Sequence, residues 1–130
     1  MRTRLDKELI TNLPFKRKIE KIIEVFYAEL TAYPYREAFL MSEINSHSWV
    51  PPTKERSTPL HEFLKEIDTA MDNGLIKRMG PVNFVINLFS LMAYPLLIRP
   101  LYKWVFDLND PQYEKLLTER KKMIVDLLFI

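Results

Sequence analysis

Nine prolines against two glycines in 130 residues constrain this chain more than any other feature. Proline cannot donate to a sheet ladder and breaks a helix interior. At a helix's first position, however, its missing N–H costs nothing. Sandwiches and barrels draw on glycine for their many tight turns, and here glycine stands only at 74 and 80. Pro14, Pro34, Pro59, Pro81 and Pro111 each stand at the head of an apolar run. The chain therefore reads as an all-α, single-domain bundle of five to six helices.

The runs themselves have helical spacing. After Pro14, residues Ile19, Ile22, Ile23, Phe26, Tyr27 and Leu30 advance in steps of three, one, three, one and three, which is one helix face. Lys16, Arg17 and Lys18, offset by Glu20 and Glu24, read as the solvated face of that helix. After Pro34, residues Tyr35, Ala38, Phe39, Met41 and Ile44 are expected to point inward. Residues 46–57, with Pro51-Pro52, read as a loop. Thr58-Pro59 caps and opens a helix with an apolar stripe of Leu60, Phe63, Leu64, Ile67 and Met71, stopped by Asn73-Gly74. Gly80-Pro81 opens a helix so apolar that burial nearly all round is expected, with Pro95 and Pro100 kinking or dividing it. Asn109-Asp110-Pro111 starts the last helix, whose Arg120-Lys121-Lys122 turn reads as solvated. Residues 1–13 are a lead-in or a short helix, and 14–130 form the domain.

Composition excludes several functions. The absence of cysteine removes disulfide scaffolds, thiolate metal sites and a cysteine nucleophile. A net charge of +2 does not argue for nucleic acid. The N-terminal residues carry no signal-peptide core, and the apolar stretch Val82–Ile98, interrupted by Asn83, Asn87, Ser90 and Pro95, is too short to span a bilayer. A soluble, cytoplasmic protein with no membrane partner is the expectation. His47 and His61 have no acidic or histidine partner at metal-ligand spacing, and two glycines permit no phosphate loop. The loose group Glu43, Asn45 and His47 ranks last as a catalytic candidate, so no enzyme, metal or cofactor is read. More informative is a polar stripe on the apolar helix: Asn83, Asn87, Ser90 and Tyr94, in steps of four, three and four. Such a stripe meets water, a polar partner surface or a ligand cavity.

The order of these segments resembles the ligand-binding half of TetR-family transcriptional regulators. The run Phe26-Tyr27-Ala28-Glu29-Leu30-Thr31-Ala32-Tyr33-Pro34-Tyr35-Arg36-Glu37-Ala38-Phe39-Leu40-Met41-Ser42-Glu43-Ile44-Asn45 carries the likeness. It extends over about residues 14–130 through Asn73-Gly74, Gly80-Pro81 and the basic turn of the last helix. The family's N-terminal helix-turn-helix cannot be placed, since no glycine precedes position 74. The resemblance thus implies DNA contact only through a helix-turn-helix absent from this chain. It further implies a homodimer built from the helices after Pro81 and Pro111, with Leu88, Leu91, Leu116, Leu117, Ile124 and Leu127 at the interface. A small apolar effector is implied inside each subunit, with Phe26, Phe39, Met71, Phe89 and Met92 lining its pocket and Asn87 orienting it. A helical interaction module without ligand is the alternative.

Overall fold

A computed structural model of the chain describes residues 13–33, 35–46, 48 and 58–130. The expected lead-in, except Leu13, lies outside these residues, as do Pro34, His47 and most of the 46–57 loop. Six helices follow in order: α1 (Phe15–Ala32), α2 (Arg36–Ile44), α3 (Thr58–Asp72), α4 (Pro81–Leu97), α5 (Arg99–Val105) and α6 (Asp110–Leu128). Among the described residues there is no strand, and the β pairing present is an isolated antiparallel bridge between Ile76 and Phe129.

Helix ends follow the local chemistry. Gly74 adopts φ +73°, open to glycine and strained for a side chain. This lets Leu75 N–H reach the Ala70 carbonyl at 3.0 Å and Gly74 N–H reach Met71 at 3.1 Å, a Schellman closure of α3. At α6 the Asn109 side chain accepts from Gln112 N–H at 2.9 Å while the Gln112 side chain accepts from Asn109 N–H at 2.8 Å. That reciprocal capping box satisfies two otherwise orphaned donors, and Pro111 removes a third.

The core is shared by four long helices. α4 packs on α1, α3 and α6, and α1 also packs on α3 and α6. The expected face of α1 is buried throughout, joined by Val25. Phe15 gathers one end of the bundle, with ring centroids 6.3 Å from Phe63, 6.0 Å from Phe84 and 5.8 Å from Phe129. The C-terminus is tied down there: Ile130 N–H donates to the Leu75 carbonyl at 2.9 Å, although the Ile130 side chain is exposed.

Four expectations are corrected. Lys18 is not on a solvated face. It is buried, and its ammonium donates to both Glu66 carboxylate oxygens at 2.7 and 2.9 Å. The apolar stem packs while the partly exposed carboxylate of α3 compensates the charge. The apolar residues of α2 do not point inward. Tyr35, Ala38, Phe39, Met41 and Ile44 are all exposed, because none of the described helices packs extensively on α2. Leu60, in the first turn of α3, is also exposed. Finally, α4 is not buried all round. Phe84, Leu88, Met92 and Pro95 form its buried stripe, whereas Val82, Ile86, Tyr94 and Leu97 are exposed. Among the described residues, α1, α3 and α6 cover only one side of it.

Candidate functional site

The α4–α6 face begins with a proline. Pro95 sits inside α4 and has no N–H, so the Leu91 carbonyl four residues earlier loses its helical donor. Arg120 of α6 supplies one, its guanidinium donating to Leu91 O at 3.0 Å. The Pro95 carbonyl, near the end of the same helix, accepts a short hydrogen bond from the Tyr113 hydroxyl. Two α6 side chains thus complete the hydrogen bonding of the proline turn in α4. After Ile98 the chain resumes as α5, bent by 65° from α4. Among the described residues no single helix is long and apolar enough to cross a membrane.

Arg120 was expected on a solvated turn, and the structure corrects this: it is half-buried. A signal was present, since Tyr113, Leu117, Arg120 and Ile124 advance by four, three and four and place Arg120 in register with the buried face. Its Nε is buried with no hydrogen-bond partner among the described residues. The Tyr27 hydroxyl is likewise buried, and it interacts with the Arg120 guanidinium, though without a well-aligned hydrogen bond. Burial pushes the Tyr27 hydroxyl above its ordinary pKa, and the positive charge of Arg120 works against that rise. Burial raises Tyr113 in the same way, opposed by Arg99 and Arg120.

Beside Arg120 an apolar cleft of about 190 Å³ opens between the kink of α4, α5 and α6. Pro95, Tyr102, Phe106, Tyr113 and Leu117 line it, with Leu116 and Met123 also on its wall. At its α5 end Arg99 pairs with Glu114 at 2.6 Å and Lys103 with Asp110. The Lys103 contact holds the Asp110 carboxyl below the usual carboxylate range.

Next to the cleft lies an exposed face. Leu116, Met123 and Leu127 form an exposed apolar stripe along α6 that the other described residues do not cover. Beside it runs the polar stripe of α4, where Asn83, Asn87, Ser90 and Tyr94 are all exposed. Between the two helices a cleft of about 320 Å³ is lined by Asn87, Ser90, Leu91 and Leu127.

The structure separates the residues expected to act together. Of the pocket set, Phe26, Met71 and Met92 are buried in the core. Phe89 is half-buried and meets Phe26 edge-on, ring centroids 5.4 Å apart. Phe39 is exposed on α2, away from that group. Asn87 is exposed and donates to the Met79 sulfur at 3.6 Å. Of the interface set, Leu88, Leu117 and Ile124 are buried within the chain, so a partner cannot reach them in this conformation. Leu91 is half-buried, and Leu116 and Leu127 are exposed. Comparison with family models, with curated proteins and with solved structures finds no match to this chain.

Proposed function

We propose that this chain is a homodimeric regulatory domain of the TetR-like kind. It would pair through α4 and α6 and respond to a small apolar effector, with DNA contacted by a part outside this chain. The observation that carries dimerisation is the exposed stripe Leu116, Met123 and Leu127. Its flank supports the reading. Lys115, Glu119, Lys122 and Asp126 advance by four, three and four along exposed α6 and alternate in sign. Read antiparallel about the middle of the helix, Lys115 falls opposite the partner's Asp126 and Glu119 opposite the partner's Lys122. A two-fold interface must be complementary to itself, and this pattern is. The apolar stripe would supply the buried centre and the charges a polar rim.

The regulatory assignment rests on the resemblance of the segment order to TetR regulators. An effector would act by binding one of two subunit arrangements better than the other. The second reading, an interaction module without ligand, is favoured by one observation: Phe26, Met71 and Met92 are packed in the core instead of facing a cavity. Sedimentation velocity on the whole chain tests the shared element. A dimer at micromolar concentration that dissociates in Leu127→Glu supports the proposal. A wild-type monomer at the same concentration overturns it.

A further inference from the structure

Arg120 is a cation without an anion. Arg17, Arg36, Arg78 and Arg99 each lie within 3.8 Å of a carboxylate oxygen. Buried Lys18 has Glu66. Arg120 is half-buried, yet the groups it meets are neutral: the Leu91 carbonyl and the Tyr27 hydroxyl. No carboxylate is within ion-pairing distance of it among the described residues. Its Nε–H is shielded from water and lies by the neutral Tyr27 hydroxyl, so what goes without a partner is the charge, which cannot be deprotonated away. Taking a guanidinium out of water without a counterion is costly, and proteins rarely leave such a charge uncompensated.

The surroundings define what the missing counterion would look like. Arg120 is the one charged residue on the wall of the 190 Å³ cleft, whose other walls are apolar or aromatic: Pro95, Tyr102, Phe106, Tyr113 and Leu117. Tyr113 has already committed its hydroxyl to Pro95. A cavity of about 150 Å³ holds a benzene ring. The cleft therefore has room for one ring and a carboxylate, and too little for a long acyl chain or a polycyclic molecule. Tyrosine and phenylalanine edges suit an aromatic guest, and a guanidinium suits a carboxylate through charge-assisted hydrogen bonds.

We infer that the cleft between the α4 kink, α5 and α6 is a binding site for a small monocarboxylate bearing one aromatic ring, its carboxylate on Arg120. This site is separate from the Phe26–Met71–Met92 region, but it shares Leu116 and Met123 with the proposed dimer stripe, so binding and association have to be measured side by side.

The test is isothermal titration of the whole chain with phenylacetate and with its neutral counterpart phenylacetamide, sedimentation being recorded on the same samples so that binding and dimerisation are scored separately. Saturable binding of phenylacetate, with the amide weaker by roughly tenfold or more, is the expected result. In Arg120→Met the acid should lose that advantage while the ring still binds. Should Arg120→Met fail to fold, the Nε–H resonance of Arg120 in the wild-type chain decides: it should shift with phenylacetate and not with the amide. Equal binding of acid and amide overturns the inference, as does no saturable binding of phenylacetate at millimolar concentration, or binding that leaves the Arg120 resonance in place.

Discussion

Two leucines that look alike in the sequence should behave in opposite ways. Leu88 on α4 and Leu127 on α6 both belong to the set expected at a dimer interface. The structure leaves Leu88 0% exposed in the core and Leu127 65% exposed on the open stripe. Leu88→Ala removes buried methyl groups and leaves a cavity in the core. Such truncations cost about 3–5 kcal/mol. At roughly 3–5 °C per kcal/mol for a chain of this length, the melting temperature should fall by about 10–25 °C. Leu127 has only about a third of its surface covered, so Leu127→Ala removes roughly a third of a full leucine burial, about 0.5–1 kcal/mol. Its larger effect should be on association. If each of two copies loses about 1 kcal/mol across a two-fold interface, the dimer dissociation constant weakens by roughly 30-fold. Urea unfolding at several protein concentrations, alongside sedimentation equilibrium, separates the two effects, since association adds a concentration-dependent term to apparent stability. Equal losses of stability in the two variants would refute the division of α4 and α6 into core and open faces. A Leu127→Ala dimer as tight as wild type would refute the proposed interface.

Further predictions follow from the helix ends and the buried tyrosines. Tyr113→Phe leaves the Pro95 carbonyl without its hydroxyl donor and should cost about 1–2 kcal/mol in chemical unfolding. A loss within error would show that water replaces the hydroxyl. Asn109→Ala removes half of the capping box and should cost about 1 kcal/mol, with the loss of protection in hydrogen exchange confined to the first turn of α6. Burial raises the pKa of Tyr27 and Tyr113 above the ordinary 10.0, so the folded state holds these protons more tightly than the unfolded one. Their contribution to stability is therefore complete below pH 10 and is lost as the pH rises past it. Tyr27→Phe should flatten that alkaline decline, and an unchanged slope in pH-dependent urea midpoints would exclude Tyr27 as a source of it.

Sequence spacing alone carried the helical class. Prolines without compensating glycines left little but helices, and the signals at Asn73-Gly74 and Asn109-Asp110-Pro111 placed two boundaries where the structure has them. The buried face of α1 was equally legible, because steps of three and one repeat over nearly its whole length. What spacing could not decide is which apolar side faces the chain's own core. A helix pattern reports that a side is apolar, and burial depends on whether another helix arrives there. α4 is apolar nearly everywhere, yet among the described residues its neighbours cover only the Phe84–Leu88–Met92 side. α6 has an apolar arc wider than the core uses, so Leu117 and Ile124 are buried while Leu116 and Leu127 face out. Charged residues obey the same rule. Lys18 and Arg120 sit in runs that look solvated, but Glu66 on α3 and the carbonyl freed by Pro95 on α4 make their burial possible. Those partners lie 48 and 29 residues away in the chain. Only tertiary packing brings a distant carboxylate or carbonyl to a cation, and the energy of that meeting decides whether the cation is buried.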